Sequence, residues 1–282
     1  MSRMHVCLIA KFLIDYSNRY NSRCNMPFCK IHDMKLYYED YGRKDQVPLL
    51  FLHGLMSSSE LWKPQVDHFK DEKRITILDL RGHGQSDKPV GRYSIKQFSE
   101  DLHLFMKNLE IEKAIIAGHS LGGMTVLRFT LDHQEMVEKV ILIDTTAKSS
   151  FSFGTKLLLS ISKILMDVSY KRFLKIYISR TLQKGYSQSE LEKTLERVLK
   201  TPKHVTKSCW SAIEGFDVTS ELANIRIPTL IIHGSESTTP LSLAKYMKEH
   251  IPNTELVIIE GAGHATPKEN PEEIWKAIER FI

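Results

Sequence analysis

The sequence is sparing in cysteine and contains no long apolar run. Its 282 residues include four cysteines, Cys7, Cys24, Cys29 and Cys209. None forms a CxxC pair and three fall within the first thirty residues, so neither a zinc site nor a disulfide framework is indicated. That usage suits a reducing compartment, and a cytoplasmic protein is expected. No stretch reaches the roughly twenty apolar residues of a membrane span, so no integral membrane segment is expected. Val6-Cys7-Leu8-Ile9-Ala10 and Phe12-Leu13-Ile14 faintly resemble a signal-peptide core, but Lys11 splits them and no small-residue cleavage site follows. Internal repeats and low-complexity tracts are missing. So are metal-ligand spacings among the twelve histidines. Nothing marks a nucleic-acid recognition motif, and no metal or organic cofactor is expected.

What is present is an ordinary globular composition, 42% hydrophobic and 26% charged, ample for a large buried core. The net charge of +5 is unevenly spread. Residues 156 to 207 carry twelve lysines or arginines against four acids and residues 1 to 30 five against one, which leaves the remainder net acidic. Such asymmetry bears on what approaches a region. Met26-Pro27 is a natural start for a compact domain, which makes residues 1 to 25 an extension.

Short β-rich runs recur at Lys35 to Tyr41, Pro48 to His53, Arg74 to Leu80, Lys113 to Ala117, Lys139 to Asp144, Thr229 to His233 and Glu255 to Glu260. Most are continuously apolar, the pattern of strands covered on both faces. Amphipathic stretches separate them: Ser59 to Phe69, Ile95 to Leu109, Leu121 to His133, Pro240 to Ile251 and Pro271 to Ile282. Strand alternating with helix predicts an α/β fold with a mostly parallel, doubly wound sheet. The alternation lapses between Ala147 and Phe216, where Lys156 to Leu182, Ser189 to Leu199 and His204 to Gly215 all read as helical. The expected organisation is a core of residues 26–146 and 217–282 with a helical lid, 147–216, inserted before the penultimate strand. Ligands of such sheets collect beyond the carboxyl ends of the strands.

The most informative stretch is Lys113-Ala-Ile-Ile-Ala-Gly118-His119-Ser120-Leu121-Gly122-Gly123, in which a strand leads into G-x-S-x-G and a helix follows at once. This is the context of a nucleophile elbow. The turn is tight enough to strain Ser120, and bulk at Gly118 or Gly122 would collide with it. With His53-Gly54-Leu55 after the second strand and Asp79-Leu80-Arg81-Gly82-His83-Gly84-Gln85-Ser86-Asp87 after the third, the chain resembles the α/β-hydrolase fold family from about Lys35 to its end. The resemblance implies serine esterase or lipase-like chemistry. Ser120 would be the nucleophile, the N–H groups of Leu55 and Leu121 the oxyanion hole, and the histidine of Gly261-Ala262-Gly263-His264 the base. Arg81, His83 and Asp87 are expected to brace their loop, and His53, His119 and His233 to pack as scaffold.

A serine–histidine pair needs a third group to set the imidazole tautomer and stabilise its charged form. In the family this is most often an aspartate three residues after the glycine ending the penultimate strand, and counting from Gly234 that position is Ser237. A hydroxyl can accept the ring's hydrogen bond but brings no charge. Three possibilities stand: relocation of the acid to Asp144, at the end of the strand after the nucleophile helix; use of Glu236; or no acid at all. Met56, Trp62, Met124, Trp210 and Phe216 are candidates for an apolar pocket. Leu157-Leu158-Leu159, Ile161, Ile164, Leu165, Met166, Val168, Phe173, Leu174, Ile176, Tyr177 and Ile178, with lysines between, form a lid face that covers the core or meets lipid. The expected activity is cleavage of small to medium apolar carboxylic esters through an acyl-enzyme, with a small-molecule ester as partner. Lactone and carbon–carbon hydrolysis, acyl transfer and peroxidation are also hosted by the fold, whereas serine in place of an aspartate nucleophile argues against dehalogenase or epoxide-hydrolase chemistry. The alternative is a ligand-binding protein that keeps the scaffold with little or no turnover.

Overall fold

The computed structural model describes residues 27–149, 162–182 and 187–282. The expected extension 1–25, with Cys7 and Cys24, and the start of the lid face at Leu157-Leu158-Leu159 and Ile161 lie outside the described residues. Among the described residues eight strands form one sheet: β1 (Phe28–Ile31), β2 (Met34–Tyr41), β3 (Leu49–Leu52), β4 (Ile75–Leu78), β5 (Ala114–His119), β6 (Val137–Ile143), β7 (Thr229–Gly234) and β8 (Thr254–Ile259). Their order is β1-β2-β4-β3-β5-β6-β7-β8. The last six in that order run parallel, and β2 is antiparallel to both β4 and β1. β3, β4, β5 and β7 are buried at every position, as continuously apolar runs require when helices cover both faces.

β1 is the one strand that the apolar pattern does not reveal. Its four residues, Phe-Cys-Lys-Ile, pair with β2 through a tight turn in which His32 adopts φ +49°, and no glycine marks that turn.

Two apolar layers flank the sheet. On one face α1 (Lys63–Phe69) and the C-terminal helix, Pro271–Phe281, place Val66, Phe69, Ile274 and Ile278 against Phe51, Ile77, Ile141 and Ile232. On the other, α2 (Ile95–Asn108) and α3 (Leu121–Asp132) bury Phe98, Leu102, Phe105, Val126 and Leu127. Burying each such side chain contributes roughly 1.5–3 kcal/mol, so the sheet is clamped from both sides.

Between β6 and β7 the chain leaves the sheet. Its exit and return lie side by side: Val218 N–H donates to the Ala147 carbonyl (2.9 Å) and Ser149 N–H to that of Phe216 (3.0 Å). The excursion holds a helical stretch over 162–168, then α4 (Tyr170–Thr181), α5 (Gln188–Val198) and α6 (Lys203–Glu214). The periodicity predicts one helix over Lys156 to Leu182; instead Ser169 breaks it and caps α4, its hydroxyl accepting from Arg172 N–H. Met166, Phe173, Leu174 and Ile178 turn inward, whereas Ile164, Val168 and Ile176 are exposed. After β7 come α7 (Leu241–His250), the single turn α8 (Thr266–Glu269) and the C-terminal helix, α9.

Candidate active site

β5 ends directly in the turn that carries Ser120, and α3 begins at the next residue. Ser120 is held at φ +51°, ψ −115°, outside the regions an L-residue adopts at rest, a strain of about 1–3 kcal/mol. Three hydrogen bonds lock it. Its N–H donates to the Ile143 carbonyl (3.0 Å), and its carbonyl accepts from the Thr145 hydroxyl (2.7 Å) and Met124 N–H (3.1 Å). A Cβ on Gly118 would lie 2.5 Å from the Gly122 carbonyl oxygen, and one on Gly122 only 2.4 Å from that of Leu52. Both obstacles are backbone, which is why the motif requires glycine on each side of the serine.

His264 arrives from the loop after β8. Its Nε2 lies 3.2 Å from Ser120 Oγ, and its Nδ1 lies 3.0 Å from Ser237 Oγ. His119 donates through Nε2 to the His264 carbonyl (2.7 Å), which anchors the loop, while its Nδ1 stays without a partner at the cavity wall. Burial, reinforced by His119 and His233, depresses the His264 imidazole to about 3. The sequence suggests a value near 6.5; the enclosed site instead keeps the ring neutral and makes its charged form hard to reach without help.

The three acid possibilities separate clearly. Glu236 is exposed, whereas its neighbour Ser237 meets the ring. Asp144 is buried at 1% exposure, in a left-handed backbone conformation (φ +47°) beyond β6. Its Oδ1 accepts from Gly234 N–H (3.0 Å) and its Oδ2 from the Thr266 hydroxyl (2.5 Å). It makes no direct hydrogen bond to His264; Ser237 does. Burial pushes the Asp144 carboxyl up to about 7, while hydrogen bonds from Thr266, Gly234 N–H and Ser237 oppose the rise. Thr266 gives no signal in the sequence, since a threonine two residues past the histidine reads as an ordinary helix start.

Leu121 opens α3, so its N–H has no partner within the helix, and Leu55 lies across the cleft after β3. Behind them His53 is fully buried, donating through Nδ1 to the Gly54 carbonyl (2.7 Å) and accepting Leu80 N–H at Nε2 (3.0 Å). Arg81 pairs with Asp101, His83 meets the Arg81 carbonyl through Nδ1, and Asp87 accepts Lys35 N–H. These contacts brace the loop, and none of the three residues lines the cavity at Ser120.

Ser120, His264, His119, Leu55 and Met56 floor a cavity of about 90 Å³, roofed from the insertion by Tyr177, Ile178, Thr181, Leu182, Thr194 and Val198. Arg197 and Lys268 stand in the same wall. Of the residues expected in the pocket, only Met56 lines it. Trp62 is fully buried against Phe51 on the opposite face of the sheet, and Met124 belongs to the core. Phe216 is likewise buried in the core. Trp210 packs edge-on against Phe173 and Tyr177, one layer behind the wall. His119, Asp144 and His264 bring ligand atoms within 4.8 Å of one another. Both His264 nitrogens and both Asp144 oxygens are already engaged, so an ion there would break the contact with Ser120.

A family model for the alpha/beta hydrolase fold matches residues 47–177. A 3-oxoadipate enol-lactonase of Acinetobacter baylyi is 27% identical over 254 residues, 89% of this chain and 94% of its own. An AB hydrolase superfamily protein of Bacillus subtilis is 29% identical over 264 residues, 87% of this chain and 94% of its own. Among solved structures, a thermophilic esterase from Thermogutta terrifontis superposes with a TM-score of 0.78 at 26% identity, covering 90% of this chain and 95% of its own. Sheet order, elbow and these matches define the class: the chain has the α/β-hydrolase fold. Its function at that level is a hydrolase.

Proposed function

We propose that this hydrolase cleaves small to medium apolar carboxylic esters through an acyl-enzyme. The reading is carried by one observation: Ser120 Oγ, raised on a strained turn, meets His264 Nε2 at 3.2 Å inside an apolar cavity. Ser120 Oγ bonds to the carbonyl carbon while its proton passes to Nε2. The N–H groups of Leu55 and Leu121 hold the developing oxyanion, and loss of one such donor typically lowers the rate about 10²–10³-fold. Collapse of the adduct expels the alcohol, which takes the proton from His264. Water then attacks the acyl-enzyme by the same route and releases the acid. Residues 147–216 act as the lid of this site, contributing Tyr177, Ile178, Thr181, Leu182, Thr194 and Val198 to the cavity wall. A lactone is a cyclic ester, so the same steps open it, and the likeness to an enol-lactonase is the reason to test lactones beside esters.

The test is hydrolysis of a graded p-nitrophenyl ester and lactone panel by the protein and by Ser120→Ala. Turnover should fall at least about 10³-fold in the variant. Turnover that survives Ser120→Ala refutes the mechanism, and the absence of Ser120-dependent turnover across the panel favours a binding protein on the hydrolase scaffold.

A further inference from the structure

The contacts around Ser237 leave one question open: how a hydroxyl can serve where a carboxylate is usual. A hydroxyl has one proton and two lone pairs. Ser237 Oγ lies 3.0 Å from His264 Nδ1 and accepts Thr239 N–H at 3.4 Å. If it also accepts from His264, its lone pairs are filled and its proton must go elsewhere. The remaining neighbour is Asp144: a carboxyl oxygen lies within 4.8 Å of a His264 ring nitrogen, and the Ser237 hydroxyl helps to hold that carboxyl down against burial. The Thr239 hydroxyl ties the same loop to the Asp144 carbonyl (3.2 Å).

Resting on the serine-hydrolase reading above, we propose that Ser237 and Asp144 form a two-membered positioning relay: Asp144 draws the Ser237 proton, which obliges Ser237 to accept from His264 Nδ1–H.

The physical need is specific. A serine alone is indifferent to direction, since it could equally donate to Nδ1. That arrangement would put the ring proton on Nε2, facing Ser120, and the ring could not act as base. A carboxylate behind the hydroxyl removes the second orientation and leaves Nε2 with its lone pair toward Ser120. The same polarised hydroxyl then supports the imidazolium that forms when Nε2 takes the Ser120 proton. No proton needs to leave Nδ1, and the relay works through the ionised form of Asp144, which prevails above about pH 7. The left-handed backbone at Asp144 and its two strong donors, Gly234 N–H and Thr266, hold the carboxylate behind Ser237 and away from direct contact with the ring.

The test follows Ser120 phosphonylation by a fluorophosphonate, which needs no knowledge of the natural ester. The Ser120 Oγ–P bond forms, the P–F bond breaks, fluoride leaves, and the proton goes to His264. The second-order rate is measured by intact-mass spectrometry for the full-length protein, Ser237→Ala, Ser237→Thr, Asp144→Asn and the Ser237→Ala/Asp144→Asn double variant. Each alanine or asparagine change should slow labelling about 10²–10⁴-fold, the scale set by losing tautomer control in a triad. The double variant should be no slower than the slower single one, and Ser237→Thr, which keeps the hydroxyl, should stay within about tenfold of the parent. Asp144→Asn labelling at the parent rate overturns the relay, as do losses that multiply in the double variant. Circular dichroism melts separate an unfolded variant from a slow one, and should Asp144→Asn fail to fold, a parent rate in Ser237→Ala is itself sufficient to overturn the proposal. Labelling that misses Ser120 in the parent would instead sink the serine-nucleophile reading beneath it.

Discussion

Asp144→Asn should raise the stability of the fold at neutral and alkaline pH. Asp144 is shut away from water, and burial lifts its carboxyl from 3.8 to about 7. The groups that face it are His233 from β7, with Nδ1 3.7 Å from Oδ1, Ser237 and the Gly234 N–H at the end of β7 and its loop, Thr266 from α8, and His264 and His119 within 4.8 Å; Glu269 adds to the rise. The sign follows from proton counting. In the unfolded chain this carboxyl releases its proton near pH 4, whereas in the folded chain it keeps the proton until about pH 7. Between those values the folded state holds more protons, so its stability falls as pH rises, and above pH 7 the full penalty is present. At about 1.4 kcal/mol per pKa unit, a separation of about three units amounts to about 4 kcal/mol. Asparagine carries no such titration. Its carbonyl can still accept Gly234 N–H, and its amide can donate to Thr266, whose own proton can turn to the Gly263 carbonyl at 2.9 Å. The unfolding free energy of the variant minus that of the parent should therefore grow by about 4 kcal/mol between pH 4 and pH 8. In melting temperature that is on the order of 10 °C for a domain of this size. Urea titrations of both proteins across that range measure it. A difference constant to within about 1 kcal/mol, or one that grows toward acid, would refute the reasoning. Gained stability together with lost reactivity would show a charge held in place for function at the expense of the fold.

Other expectations follow from the same geometry. Gly122→Ala would set a Cβ 2.4 Å from the Leu52 oxygen and 2.6 Å from that of His53. One of those backbones must move, so melting should show a loss of about 1–3 kcal/mol, and turnover should fall more than about tenfold because the Leu121 N–H shifts with it. Retained turnover would mean that the elbow has slack. A cavity of about 90 Å³, closed by Ile178, Leu182 and Val198, should favour short acyl chains. In the p-nitrophenyl series kcat/KM should peak between acetyl and hexanoyl and drop at least about tenfold by dodecanoyl; a flat profile would mean that the roof opens freely.

Much of this molecule is legible in its residues taken in order. Continuous apolar runs such as Leu49–Leu52 and Thr229–Gly234 announce strands buried on both sides, because no other element hides consecutive side chains in so short a span. Gly118 and Gly122 announce the elbow, because the clash that they avoid is local. The helices of the insertion are readable from their spacing, but the break at Ser169 is not, since the apolar period continues across it.

What sequence order cannot state is which layer a side chain joins. Trp62 and Tyr177 are both aromatic residues on amphipathic helical stretches, yet one fills the core under Phe51 and the other roofs the cavity. Periodicity defines an inward face without saying what lies inward. The site shows the same division. Ser120 and His264 carry signatures in their flanking glycines, and the departure at Ser237 is visible by counting from Gly234. Which of Asp144, Glu236 or neither stands behind the histidine depends on three loops, after β6, β7 and β8, that meet only when the parallel strands align. Glu236 and Ser237 are neighbours in sequence, yet the carboxylate is exposed and the hydroxyl is placed on His264. Local chemistry thus determined the strands, the elbow and the serine–histidine pair. Only the tertiary fold, by setting loop ends within reach of one another, decided that Ser237 meets the histidine while the buried aspartate stands within 4.8 Å of it with no direct hydrogen bond.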